Sequence, residues 1–433
     1  MFSAVKFVAA GAIVALSGGF LLAGVLTTQQ GDEVLPAAVT DSPAPEATSE
    51  PTEAPTTSVR TDILPGVALN VEEVEPGVLW VRNDGLSAFA FPVDWEVPYD
   101  IVAGHDGGIY VLEPGHYARL GQGGGSAEGH KGFDWNIVDG FPSDVGVAPD
   151  GTIWAVFSGR LYSSTWGSGY ETRHLPTMVG PEPIEVTSDG TVWAVWRDDS
   201  GSAVFGYLGA DGPTMVGEWP IDGGYLRVSD RGEVWATVHL GWGFFGVQRF
   251  VDGAWREEEG NEWGAFDRAD ADVGVDGTFW GIRDGHYGGP RDDLLTRFDG
   301  TEWTTFDPPD GSGIDVAMRE LAQDGWVPSD FRRSQWGEPH VASDGSLWVP
   351  SRLGVMERDP DLGGGHRNVC GHGIDGVARF DGERWSRFLQ GRCVETMDIA
   401  ADGSVWLLAS KSGAQFPLAN VYVITPEAVA AIE

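Results

Sequence analysis

A chain of 433 residues that is 42% hydrophobic and 21% charged can bury a sizeable core, which excludes a wholly disordered polymer. Its 27 Lys and Arg face 65 Asp and Glu, and the resulting net charge of -38 repels phosphate backbones and anionic headgroups, so nucleic acid is excluded as a partner. The 63 glycines and 19 tryptophans suit tight turns between aromatic-rich strands better than packed helices, and the class expected is all-β.

In chain order, the first element is Phe7 to Leu26, an uncharged run with a single hydroxyl, Ser17. At 1.5 Å rise per residue a run of this length matches a hydrocarbon core of ~30 Å. A cleaved signal peptide is the competing reading, although its apolar region is usually shorter, and no A-x-A-like site stands out. Lys6 precedes the segment and Asp32 and Glu33 follow it, which predicts a cytoplasmic N-terminus. Residues 1–27 are therefore a membrane anchor or signal segment. The rest of the chain is expected outside the cytoplasm, tethered by a single pass or secreted if the segment is cleaved, and touching the membrane only through that helix.

Residues 28–62 form a disordered linker. The run TDSPAPEATSEPTEAPTTS has too few large apolar groups to offset the entropy of ordering, and its prolines and carboxylates keep it extended as a stalk.

Residues 63–433 carry a repeat: a short apolar run, Asp-Gly or a near variant, then a second apolar run bearing an aromatic. The copies are VAGHDGGIYVL, VGVAPDGTIWAV, IEVTSDGTVWAV, LRVSDRGEVWAT, ADVGVDGTFWGI, PHVASDGSLWVP and MDIAADGSVWLL. Their aromatics are Tyr110, Trp154, Trp193, Trp235, Trp280, Trp348 and Trp406. The first four intervals fit a four-stranded propeller blade of ~40 to 45 residues, and the last two fit a blade plus insertions. Asp-Gly between apolar runs marks a hairpin, because glycine tolerates the positive φ of a tight turn. RFVDGAW, RFDGTEW and RFDGERW supply a second hairpin in three units. The architecture predicted is a seven-bladed β-propeller, with six or eight blades as alternatives. GVLWVRNDGLSAFAF, turning at Asn83, Asp84 and Gly85, is expected to close the ring against the C-terminal strands.

The DG-[ST]-[VLI]-W motif with its trailing aliphatic pair resembles the repeat of two-component regulator propellers, the sensor portions of membrane histidine kinases. It is also similar to the repeats of streptogramin B lyase propellers. The first resemblance implies a propeller that senses a ligand; this chain differs in carrying its membrane segment first and no kinase region after the repeats. The second implies a loop histidine acting as base beside a metal, but no lyase motif assigns those roles to particular residues.

Two insertions, about 306–338 and 350–373, are expected on one face, where loops between second and third strands and between blades open. The first contains SGIDVAMRELAQDG, which reads as a capped amphipathic helix with Ile314, Met318, Leu321 and Ala322 as its stripe. The binding residues expected on this face are His239, Trp242 and Phe245, then Arg283, His286, Tyr287 and Arg291, then Trp326, Arg332 and Trp336. Aromatics beside arginines offer flat apolar area with fixed donors, which a carbohydrate, peptide or protein partner uses. Small satellite cores beneath the loops would account for the same residues.

Cys370 and Cys393 flank the RFDGERW hairpin symmetrically, which predicts a structural disulfide in an oxidising compartment. Zinc binding by His366, Cys370 and His372 lacks a standard spacing. Calcium binding by Asp267, Asp270, Asp272 and Asp276 lacks the terminal glutamate of an EF-hand loop. No metal site and no cofactor are assigned, and no catalytic residue is singled out. The sequence supports a binding or sensing propeller; the alternative is a propeller lyase or hydrolase that uses a loop histidine with a divalent metal.

Overall fold

The computed structural model describes residues 57–64, 67–82, 100–113, 116–120, 144–165, 171–172, 177–179, 183–209, 212–220, 224–241, 244–257, 271–283, 294–306, 331–358, 366–369, 376–411 and 420–431. The apolar segment 7–26, the expected linker 28–62 as far as residue 56 and the expected helix at 312–325 lie outside these residues; the linker's end is corrected, because Thr57–Arg60 form a strand paired with 69–72. Among the described residues no helix is long and apolar enough to cross a membrane.

Strands β1 (Thr57–Arg60), β2 (Leu69–Glu75) and β3 (Val78–Val81) open the described chain. A first sheet follows with β4 (Asp100–Ala103), β5 (Ile109–Glu113) and β6 (His116–Arg119). The second has β7 (Asp144–Val147), β8 (Thr152–Phe157), β9 (Arg160–Thr165) and β10 (Glu171–Thr172). The third has β11 (Ile184–Val186), β12 (Val192–Arg197), β13 (Ala203–Gly209) and β14 (Gly212–Glu218). The fourth has β15 (Tyr225–Val228), β16 (Val234–Gly241), β17 (Phe244–Val251) and β18 (Ala254–Glu257). The fifth has β19 (Ala271–Val273), β20 (Phe279–Arg283), β21 (Leu294–Phe298) and β22 (Trp303–Phe306). The sixth is larger, with β23 (Phe331–Trp336), β24 (His340–Val341), β25 (Leu347–Arg358), β26 (His366–Val369), β27 (Gly376–Phe380) and β28 (Trp385–Phe388). The last joins β29 (Arg392–Ile399), β30 (Val405–Lys411) and β31 (Asn420–Ile424) to β3, β2 and β1, and a short helix, α1 (Pro426–Ala430), ends the described chain.

These sheets form an all-β propeller. Their innermost strands touch in cyclic order, β4 to β7, β11, β15, β19, β24, β29 and back to β4. The seven-blade expectation is corrected: six sheets are complete blades of four or more strands, while the first repeat contributes only three strands among the described residues.

The repeat chemistry explains each unit. In six copies the turn carboxylate accepts a hydrogen bond from the backbone N–H two residues on, as in Asp150 to Thr152 and Asp344 to Ser346 at 2.9 and 2.8 Å. The glycine between them takes a positive φ, 79° at Gly151 and 84° at Gly345, which a side chain would strain. The tryptophan that follows stands opposite the arginine of the Arg-Phe strand, pairing Trp235 with Arg249, Trp280 with Arg297 and Trp348 with Arg379. The guanidinium carbons lie 5.3, 5.6 and 5.8 Å from those ring centroids. Arg379 also bridges to the turn carboxylate of Asp344 at 3.3 Å, so the indole is held between a cation and the turn that precedes it.

Burial on both sheet faces follows from the ring. Trp235, Trp348 and Trp406 are at most 2% exposed, and the apolar clusters lie between successive sheets. Tyr110, Val147 and Ile153 join the first to the second, Phe205 and Leu226 the third to the fourth, and Ile282 and Leu347 the fifth to the sixth. The ring closes where β3 pairs antiparallel with β31, Val78 with Ile424 through Val81 with Val421. Trp406, Leu408 and Val423 of the last sheet then pack on Ile101 and Ile109 of the first.

The closing strand came from the expected segment. β3 pairs with β2 through a turn at Pro76 and Gly77 as well as with β31, and the expected turn at 83–85 lies outside the described residues. Gly77 has φ 71°, and a Cβ there would collide with Ala428 of α1, so the turn and the helix are fitted to each other.

Cys393 follows the β27–β28 hairpin on β29, the inner strand of the last sheet, opposite Ser410. Leu389 (φ 51°) and Gly391 (φ 74°) turn the chain out of the sixth sheet before it arrives. Cys393 is 3% exposed and no described cysteine is free, while Cys370 lies outside the described residues. A bridge between the two would therefore join the end of β26 in the sixth sheet to the last sheet.

Two outcomes follow. Trp406→Ala removes the largest ring from the closing seam and is expected to cost about 3–5 kcal/mol in urea unfolding, whereas Val59→Thr, on a residue 64% exposed, leaves the midpoint unchanged. Intact-mass measurement of the oxidised full chain is expected to find it two hydrogens lighter than the reduced chain; alkylation of Cys393 without reductant would exclude the bridge.

Candidate functional site

In each unit the turn between first and second strands and the turn between third and fourth lie at one end, so the connection between second and third strands lies at the other. His239 on β16 stands opposite Phe245 on β17 beside such a connection, and Arg283 ends β20 opposite Leu294. Arg332 and Trp336 lie on β23, which leads into the inner strand of the sixth sheet from that same end. The fold thus places His239, Phe245, Arg283, Arg332 and Trp336 on one face of three consecutive sheets. Trp242, His286, Tyr287, Arg291 and Trp326 lie outside the described residues.

Both long insertions reach this face as strands. β25 runs on past the body of its blade: Leu347 to Ser351 pair with β27, and Val355 to Arg358 pair with β26. On its other side Trp336 pairs with Ser351 and Phe331 with Val355. A three-stranded antiparallel extension therefore rises from the loop end of the sixth sheet.

The axis of the ring is a second concave feature, a cavity of about 510 Å³ lined by the inner strands. Four residues before the turn aspartate, or its equivalent Arg231, these strands carry Val102, Gly146, Glu185, Arg227, Asp272, His340 and Asp398. That polar position in an otherwise apolar strand was visible in the repeats, and the loop-centred reading missed it.

The channel carboxylates are bonded from one sheet to the next. Asp144 accepts from the Ile184 N–H at 2.8 Å, Asp272 from the Val341 N–H at 2.7 Å, and Asp398 from the Ala103 N–H at 2.8 Å. Arg227, 7% exposed, donates to the carbonyls of Ala271 and Leu226 and to Glu338 Oε1, at 2.7, 3.0 and 2.8 Å. Asp272, one of the residues weighed for calcium, is therefore a staple between inner strands, and Asp276 accepts from its own turn at Thr278. Among the described residues no group of three or more His, Cys, Asp or Glu is arranged to hold a metal.

Burial dominates the protonation of this ring. It pushes the Asp398 carboxyl up to about 7, with Asp100 and Asp272 adding repulsion, and it raises Asp272 as well. It holds His340 down at about 4, with Arg227 adding repulsion. His340 Nδ1 lies 3.8 Å from Asp398 Oδ1, and the two side chains keep 21% and 29% of their exposure in the channel. Water there weakens both effects without reversing them.

No family model and no curated protein matches the chain. Solved structures similar to it include the extracellular domain assigned to a hybrid two-component system of B. thetaiotaomicron, at 8% identity and a TM-score of 0.47, covering 77% of this chain and 39% of that one. The β-propeller domain of the trilobed protease from Pyrococcus furiosus matches at 13% identity and a TM-score of 0.43, covering 74% and 87%. The chain thus spans about two fifths of the first of these.

The channel pair gives a signed prediction. A depressed histidine contributes stability that is lost as pH falls from about 6.5 through about 4; a raised carboxyl contributes stability that is lost as pH rises from about 4 through about 7. The two slopes oppose each other in the wild type. His340→Gln is expected to leave stability falling with pH across that window, and Asp398→Asn to leave it rising, as read from urea midpoints at three pH values. Parallel pH profiles for the two variants would refute the assignment.

Proposed function

We propose that the protein is an extracytoplasmic, membrane-tethered propeller that binds or senses a carbohydrate, peptide or protein partner across the face from which the sixth-sheet extension rises. The observation that carries this reading is the pairing of both long insertions into one ordered sheet, β23 with β25 and β25 with β26, at the loop end of the ring. A blade needs no such strands to complete its own ladder. Scaffolds of this kind present variable loops from a rigid ring, and function resides in the loops.

His239, Phe245 and Arg283 lie on the same face of the adjoining sheets. The channel supports the opposite role, rigidity, since its carboxylates and Arg227 are engaged by neighbouring inner strands. The tether and the compartment are proposed from the sequence of residues 7–26 and from the stalk that follows.

The test is a panel of envelope oligosaccharides and peptides titrated against the purified full chain. Trp336→Ala and Arg332→Ala are each expected to weaken the ligand found by about tenfold, while Trp255→Phe on the outer strand β18 leaves it unchanged. Equal affinities for all three variants would overturn the loop-face reading.

A further inference from the structure

The wall of the axial cavity already accommodates one cation. Arg227, 7% exposed, is held there by the carbonyls of Ala271 and Leu226 and by Glu338. Among the described residues it is the one arginine or lysine lining the cavity, against carboxylates from Asp100, Asp144, Glu185, Asp272, Glu338 and Asp398. The imbalance centres on Asp272, His340 and Asp398, which hold the same repeat position on three successive inner strands, β19, β24 and β29. Asp272 accepts from the N–H groups of Val273 and Val341, both at 2.7 Å. Asp398 accepts from those of Ile399 and Ala103, at 2.7 and 2.8 Å. A carboxylate can accept about four hydrogen bonds, so these staples use part of the capacity of each. Neither nitrogen of the His340 ring is hydrogen-bonded to a described residue; Nδ1 stands 3.8 Å from Asp398 Oδ1, beyond bonding distance.

We propose that Asp272, His340 and Asp398 form an axial binding site for a small organic ammonium ion, an amine that donates to the two carboxylates and the imidazole. The site is separate from the loop face and does not rest on that reading. Burial leaves this arc short of positive charge. It pushes the Asp398 carboxyl up to about 7, with the charges of Asp100 and Asp272 adding to the shift, and it holds His340 down at about 4, with Arg227 opposing its protonation. The imidazole is therefore neutral at pH 7 and keeps one nitrogen as an acceptor. An ammonium supplies both the charge and the donors. A metal ion needs ligands converging on one point, and among the described residues no group of three or more His, Cys, Asp or Glu does so. Val145, Val273, Val341 and Ile399 line the same cavity and give the hydrocarbon body of an amine an apolar wall, within a volume of about 510 Å³.

The experiment titrates the full chain calorimetrically with putrescine, a linear diamine, with the corresponding diol as its neutral isostere and calcium as the metal probe. Putrescine is expected to bind and the diol is not. A proton and the ammonium compete for Asp398, so putrescine should bind about tenfold more weakly at about pH 6 than at about pH 8. Asp398→Asn, whose amide oxygen can still accept from Ala103, should weaken binding by about tenfold or more and flatten that pH dependence. Asp252→Asn, which removes the same charge from a side chain 81% exposed, should leave both unchanged. The wild-type comparison of amine, diol and calcium stands even where the Asp398 variant loosens the ring. Failure of putrescine to bind, equal binding of amine and diol, tighter binding of calcium, a flat wild-type pH profile or equal losses in the two variants would each overturn the proposal. None of these results bears on the loop-face variants.

Discussion

Every sheet in this molecule is apolar on both faces, and such a sheet is stable only when another covers each side. A ring satisfies that requirement for all members at once, provided that the last sheet meets the first. The antiparallel pairing of β3 with β31 makes this closure: it brings a strand from the start of the described chain into the final sheet and sets Trp406 and Val423 against Ile101 and Ile109. Without it, two large apolar faces would open to water, at roughly 25 cal/mol for each Å² exposed.

The same closure creates the axis. Inner strands converge there, and their backbone N–H groups at the strand edges need acceptors that an apolar side chain cannot provide. Asp144, Asp272 and Asp398 meet that need by reaching across to the next sheet, and Arg227 does the reciprocal service for the carbonyl of Ala271. The result concentrates ionisable groups in a cavity that disfavours their charged forms, and this is why a carboxyl and an imidazole shift in opposite directions within 3.8 Å of each other. The cavity is chemically conspicuous, yet Asp144, Asp272, Asp398 and Arg227 are engaged in holding the ring together. The loop end of the sixth sheet is the reverse case: β23, β26 and the far half of β25 lie beyond the blade's own ladder.

The sequence by itself determined the repeating unit, because its signals are local. Asp-Gly at a turn, a tryptophan just after it and an arginine on the strand beyond act over a few residues, and each reappears in the structure as a capped turn, a buried indole and a cation held over it. It also pointed to a segment ahead of the first repeat as the one to close the ring against the C-terminal strands. What it left open was decided over distances that no spacing records. The turn between β2 and β3 lies at Pro76 and Gly77, where Gly77 passes close to α1, a contact between residues some 350 positions apart. Cys393 lies in the next sheet because Leu389 and Gly391 redirect the chain. The polar position of the inner strands was legible in the alignment of the repeats, but a lone Asp or His inside a strand has no assigned partner until the ring places one beside it. The pairing of β23, β25 and β26 likewise required the tertiary structure, since two insertions separated by a strand and a turn become one sheet only when the blade between them fixes their directions.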